Sequence, residues 1–137
     1  MDQDSYSDKQ IIDILSLRHV AVIGMSKHSS KAAHYVPKYL IDNGYVVTPV
    51  NPTTDKILDI CCFNSISEIN YPVDIIDVFR PSDQISSIIH ECIEKKPKVI
   101  WLQEGIHDFE SEELARKNGI IVVFNRCMLS EHQRLKL

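Results

Sequence analysis

Glycine is scarce in this sequence, and the four present in 137 residues are too scattered for a glycine-rich phosphate loop. Only Gly24 closes an apolar run, so neither the G-x-G-x-x-G fingerprint nor a P-loop is available. No apolar stretch approaches the roughly 18 residues that a membrane-crossing helix requires. Met1 to Asp8 are polar and acidic, unlike a signal or transit peptide, so a cytoplasmic location is expected and a membrane partner is not. Basic runs are missing too. Fifteen Lys and Arg stand against 19 Asp and Glu, a net charge of -4, which is not the electrostatic footprint of a duplex nucleic-acid binder. The four cysteines, Cys61, Cys62, Cys92 and Cys127, contain no C-x-x-C pair, so zinc and thioredoxin-type chemistry lack support and no metal site is expected. Adjacent Cys61 and Cys62 suit neither a tetrahedral site nor an ordinary disulfide, and in a reducing compartment free thiols are the simplest reading. The six histidines are scattered, none pairing with a nucleophile at a readable spacing, and the G-x-S-x-G elbow is absent. The chain is therefore expected to bind a ligand without a complete catalytic apparatus, and not to be an enzyme.

What is present is ordinary globular material, 44% hydrophobic and 25% charged. The length suits a single domain, 1–137, able to bury roughly two thirds of its unfolded surface. Ser7 and Gln10 read as a capping box before the apolar face of Ile11, Ile14 and Leu15. Six β-branched or apolar runs follow as strands: His19–Gly24, Tyr45–Val50, a short Asp59–Phe63, Asp74–Phe79, Lys98–Leu102 and Ile120–Phe124. Between them lie helical patterns at Ala32–Asn43, one turn at Ser65–Ile69, Pro81–Lys95 with Cys92 on its buried side, and Phe109–Asn118. Asn43-Gly44 and Asn118-Gly119 are stop signals, and Ser130 is placed to cap a short last helix. Strands alternating with helices predict an α/β fold: a Rossmann-like doubly wound parallel sheet of five to six strands with helices on both faces.

In such sheets ligands bind beyond the carboxyl ends of the strands, where the strand order reverses, which selects five loops. The first, Gly24-Met25-Ser26-Lys27-His28-Ser29-Ser30-Lys31, offers amides, hydroxyls and two lysines at a helix N-terminus, which reads as a phosphate cradle or as a solvated polar loop. The second, Pro49-Val50-Asn51-Pro52, has no acid before Asp55, which argues against NAD and permits a ribose that carries phosphate. In the third, Val78-Phe79-Arg80, the arginine is placed to pair a phosphate or to cap the sheet. The fourth, Trp101-Leu102-Gln103-Glu104, carries the single Trp, either at a pocket or in the core. The fifth is Asn125-Arg126-Cys127, where an exposed thiol beside Arg would have a lowered pKa and a buried one would be inert.

Taken in order, these motifs, with Val36-Pro37-Lys38-Tyr39-Leu40 and Asn43-Gly44-Tyr45, resemble the small stand-alone CoA-binding proteins. Those proteins are similar to the N-terminal domain of the succinyl-CoA synthetase alpha subunit. The resemblance runs from about Ser16 to Leu135. It implies coenzyme A as the cofactor. Gly24, Met25, Ser26 and the following loop, including Lys27 and Lys31, would lie against its phosphates. Pro49, Val50 and Asn51 would border the adenosine, and Val78, Phe79 and Arg80 would line the same cleft. Trp101, Leu102, Gln103 and Glu104 would approach the pantetheine, with Asn125, Arg126 and Cys127 near its distal end. The chain departs from the family pattern at Lys31, Ala33, Thr53 and Thr54, leaving Lys27, Lys31 or Lys56 for the 3′-phosphate. The leading expectation is non-catalytic binding of CoA or an acyl-CoA. The alternative is the CoA-binding subunit or fragment of an acyl-CoA synthetase that needs a separate ATP-grasp partner. The partners expected are thus the small-molecule ligand and either a second copy, as a homodimer, or a larger synthetase subunit.

Overall fold

Each strand presents alternate residues to two apolar faces, and each face acquires its own helices. The computed structural model describes residues 2–137. In chain order the elements are α1 (Asp8–Leu15), β1 (His19–Ile23), α2 (Ala32–Asp42), β2 (Val46–Val50), the short β3 (Lys56–Ile57) and β4 (Ile60–Cys61), β5 (Ile75–Val78), α3 (Ile85–Lys95), β6 (Val99–Leu102), α4 (Phe109–Lys117), β7 (Ile121–Val123) and α5 (Met128–Arg134). Single 3-10 turns occupy Ile66–Glu68 and Ser82–Gln84. Five strands form one parallel sheet in the order β2-β1-β5-β6-β7. Val20, Val22, Ile75, Val99 and Trp101 pack with Ile11, Leu15, Val36, Leu40 and Met128 of α1, α2 and α5. Ala21, Ile76, Val78, Ile100 and Val122 pack the opposite face with Ile85, Ile89, Cys92 and Ala115 of α3 and α4. Burying each large side chain completely contributes roughly 1.5–3 kcal/mol, and Trp101, Ile75 and Ile76 are fully buried. This is the Rossmann-like α/β fold, with helices on both faces.

The helix start at Ser7 is as the sequence predicts: Ser7 Oγ accepts from Gln10 N at 3.2 Å and Gln10 Oε1 from Ser7 N at 2.8 Å. Two expectations need correction. The run Asp59–Phe63 does not join the main sheet, which has five strands. Leu58 and Asp59 both adopt left-handed backbone, with φ of 51° and 61°, so the chain folds back and β3 pairs antiparallel with β4. Its one ladder link to the main sheet is a parallel bridge between Phe63 and Val50. Ser130 is not a cap either. α5 begins at Met128 with Cys127 in the capping position, and Ser130 lies inside the helix.

The strand order places the reversal between β1 and β5. From β1 the chain leaves through α2 toward β2, whereas β5, β6 and β7 succeed one another on the other side. The carboxyl ends of β1 and β5 therefore diverge into a crevice, the position at which doubly wound sheets bind ligands.

Candidate functional site

A cleft of about 840 Å³ opens at that reversal, within the size range of small-molecule sites. Its floor is set by Gly24, the residue after β1. With φ at +81°, a Cβ on Gly24 would stand 2.7 Å from the Phe79 carbonyl oxygen and 2.8 Å from Arg80 Cδ. The glycine thus lets the β1 and β5 ends touch. The atoms that occupy the space of the missing side chain thus belong to the protein itself. Backbone bonds complete the junction: Gly24 N donates to Val50 O at 3.1 Å and Phe79 N to Ile23 O at 2.9 Å.

The loop between β1 and α2 is held by an unusual helix. Pro37 sits inside α2 and has no N–H, so the Ala33 carbonyl four residues earlier lacks its helical donor. Ser26 N donates to that carbonyl at 3.0 Å. His34 Nδ1 meets the Ser26 carbonyl at 2.7 Å, and the imidazole is buried. The loop is therefore pinned at Ser26, while Lys27, His28 and Lys31 remain exposed beside the cleft. Asn51 ties in the second loop. Its Nδ2 donates to Met25 O at 2.8 Å, and its Oδ1 accepts from Thr53 N and Thr53 Oγ1, each at 2.8 Å. On the α3 side stands Arg80, whose Nε donates to Gln84 Oε1 at 2.8 Å, leaving its terminal nitrogens for other partners.

Lys27, Lys31 and Arg80 line this cleft against one carboxylate, Glu91, which accepts from Ser67 N at 3.0 Å. A chain of net charge -4 thus concentrates cations where its sheet opens, the chemistry of a phosphate site. Thr53, Thr54, Asn64 and Ser65 add a polar wall at the far end. Phe79 and Arg80 continue into a second, shallower arm of about 490 Å³, which also borders Ala33, Tyr35, Gln103, Glu104, Ile106 and Cys127. The two arms share Ala33, Phe79 and Arg80 in their linings and are treated together as one groove, the first arm more polar and carrying Lys27 and Lys31, the second more apolar.

Of the residues proposed from sequence, Gly24, Met25, Ser26, Lys27, Lys31, Val50, Asn51, Phe79 and Arg80 border the cleft, and Gln103, Glu104 and Cys127 border the distal arm. Six do not border either one. Pro49 is buried in β2, and Val78 and Leu102 are core residues of the α3–α4 face. Trp101 is wholly buried, its Nε1 donating to Arg126 O at 2.8 Å. Asn125 hydrogen-bonds the N-terminal segment through Asp2 O at 3.0 Å. The Arg126 guanidinium is buried on Asp4 at 2.8 Å and Glu131 at 3.3 Å. It is thus directed at two carboxylates rather than toward the Cys127 thiol. Lys56, exposed on β3, does not line the cleft, and neither do the exposed Ser29 and Ser30 of the loop between β1 and α2. Missed were His28, Thr53, Thr54, Gln84 and Glu91. His28 lies in the same loop as Lys27 and Lys31, whereas Gln84 and Glu91 carry no local signal and reach the cleft only because α3 packs beside it.

Among the described residues no group of His, Cys, Asp and Glu is arranged to hold a metal ion, and no helix is long and apolar enough to cross a membrane. All four cysteines are free, and burial pushes the Cys92 thiol up to about 12.

A family model described as a CoA binding domain matches residues 18–133. The protein YneT of Bacillus subtilis (strain 168) is 34% identical over 127 residues, 92% of this chain and 94% of YneT. The ADP-forming acetate–CoA ligase II of Archaeoglobus fulgidus is 33% identical over 127 residues, which cover 84% of this chain and 19% of the ligase. Among solved structures, cell-free ID.343 from Thermus thermophilus superposes with a TM-score of 0.91 at 38% identity, covering 95% of this chain and 99% of its own.

Proposed function

This chain belongs to the CoA binding domain family, and on that premise we propose that its groove binds coenzyme A or an acyl-CoA. The observation that carries the proposal is the polarity of the groove: Lys27, Lys31 and Arg80 gather at the sheet reversal, and a more apolar arm leads from Phe79 toward Cys127. A ligand with phosphates at one end and a pantetheine at the other matches that gradient. The phosphates take the cations by charge-assisted hydrogen bonds, and the pantetheine lies along Phe79, Ile106 and Cys127. Lys27, Lys31 and His28 are the groups at hand for the ribose phosphate, with Thr53 and Thr54 on the adenosine side. NAD fits less well, because Asn51 stands at the β2 end where a carboxylate would hold ribose hydroxyls.

Calorimetric titration with CoA, dephospho-CoA and NAD tests the reading. CoA is expected to bind most tightly, dephospho-CoA more weakly for want of the 3′-phosphate, and Arg80→Ala to cost roughly 1.5–3 kcal/mol of CoA affinity. Absence of heat with CoA, or tighter binding of NAD, overturns it. Binding alone, with no catalysis by this chain, is the simplest form of the proposal.

One observation favours a second form. The 84% of this chain that aligns with the Archaeoglobus ligase makes up 19% of that enzyme, so the chain is equally suited to be one component of an ADP-forming acyl-CoA ligase whose ATP-binding part is a separate polypeptide. Co-purification with a larger ATP-binding subunit, and acyl-CoA formation by the pair, distinguishes this form.

A further inference from the structure

Asp77 is the one acid in the middle of the sheet. It sits on β5 opposite Trp101 and Val22, wholly buried. No cation pairs with it; the partner it has is Gln103, whose Nε2 donates to Asp77 Oδ1 at 2.5 Å. Asp77 Oδ2 has no hydrogen-bond partner at all. A carboxyl in such a place is costly, and Gln103 is what offsets part of that cost. Gln103 follows the end of β6, is 3% exposed, and borders the distal arm. Its amide has two ends on one planar carbon. With Nε2 drawn inward to Asp77, Oε1 is the end of the amide left to meet the arm that Gln103 borders.

We propose that Asp77 is a positioning residue: it holds the Gln103 amide so that the carbonyl oxygen faces the distal arm and accepts a hydrogen bond from an N–H or S–H donor of a pantetheine chain lying there. The inference rests on the CoA reading of the groove and adds to it a polar contact in its more apolar half. Without Asp77 the amide can turn over and present its NH₂ group, which cannot accept from such a donor.

The test separates the two halves of the ligand. CoA and adenosine 3′,5′-bisphosphate, which lacks the pantetheine, are titrated against the wild type, Asp77→Asn, Asp77→Leu, Gln103→Leu and the double variant Asp77→Leu/Gln103→Leu. Asn retains a carbonyl acceptor for Gln103 Nε2, so Asp77→Asn is expected to bind CoA as the wild type does. Asp77→Leu and Gln103→Leu are each expected to lose about tenfold in CoA affinity, the worth of one hydrogen bond. Bisphosphate affinity should be unchanged, and the double variant should lose no more than either single one. Equal losses for both ligands, or no loss for CoA, overturn the proposal. Should Asp77→Leu fail to fold, Asp77→Ala replaces it in the same titrations, and unchanged CoA affinity in Gln103→Leu overturns the proposal by itself. If neither ligand binds the wild type, it is the CoA reading itself that fails.

Discussion

Replacing Asp77 by Asn asks whether a proton, rather than a charged partner, is what lets a carboxyl occupy this core. Burial pushes its pKa from 3.8 up to about 8, only partly offset by the hydrogen bond from Gln103. In the unfolded chain the same carboxyl releases its proton near 3.8. Between those values the folded state binds more protons than the unfolded one, so each unit of rising pH removes stability. The contribution is complete below the unfolded pKa and lost as pH rises through the folded one. At about 1.4 kcal/mol per unit, the span from pH 5 to pH 8 amounts to roughly 4 kcal/mol, a large share of a typical domain's 5–15 kcal/mol or so. Asn has nearly the same shape, keeps the acceptor for Gln103, and does not titrate. Urea unfolding followed by the fluorescence of Trp101, the single Trp and fully buried, reads both proteins. The two should be within about 1 kcal/mol of each other at pH 5. The variant should then gain on the wild type by several kcal/mol toward pH 8. Groups common to both cancel in the difference. Parallel stability profiles from pH 5 to pH 8 would show that Asp77 does not carry its proton in the folded state.

Other perturbations probe other parts of the frame. Gly24→Ala should destabilise by at least about 2 kcal/mol, since the left-handed backbone alone costs about 1–3 and the added carbon meets Phe79 O at 2.7 Å. Gly44→Ala, at a φ of +89° but in open space, isolates the backbone cost; equal losses in chemical denaturation would refute the clash. His132 titrates in the opposite sense to Asp77. Burial, followed by the Arg18 charge, lowers its pKa from 6.5, so the stability it permits is present above 6.5 and lost as pH falls. His132→Gln should flatten the acid limb of the stability profile relative to the wild type, and an unchanged limb would exclude His132 as its source.

The sheet was readable because buried parallel strands are β-branched runs and the glycine stops follow the helices directly. The hairpin of β3 and β4 was not, because its turn residues are Leu58 and Asp59, the first of which gives no hint of a left-handed backbone. The cleft was half legible. Loops that follow strands are fixed by chain order, so Gly24, Asn51 and Arg80 could be named. Glu91 sits on a flank of α3 and Gln84 ends the 3-10 turn before it, and which way each faces depends on how α3 packs. For Trp101 the strand-end position left pocket and core both open, and the indole packs in the core of the α1–α2–α5 face, not beside the pantetheine arm that the resemblance implied. The burial of Arg126 was hidden for a similar reason, since its partner Asp4 lies 122 residues away in a segment with no apolar pattern of its own.

That segment carries the last prediction. Asp4 receives Arg126 Nη2 at 2.8 Å and Phe124 N at 3.1 Å, and Gln3 Nε2 donates to Asn125 O at 3.1 Å. The N-terminus therefore straps the loop between β7 and α5, on which Cys127 borders the distal arm. Both charged side chains are nearly inaccessible, at 8% for Arg126 and 4% for Asp4. Removing one member of a buried pair leaves the other without its counter-charge, at about 3–5 kcal/mol when no other partner exists. Glu131 remains on Arg126 at 3.3 Å, so Asp4→Ala should fall at or below the lower end of that range, about 2–3 kcal/mol. The loss should also be local. Hydrogen exchange is expected to quicken at Gln3 to Tyr6 and at Phe124 to Cys127, while β1 and β5 keep their protection. Exchange that rises evenly over the whole sheet, or does not rise in the loop, would show that the strap is not what holds this wall of the groove.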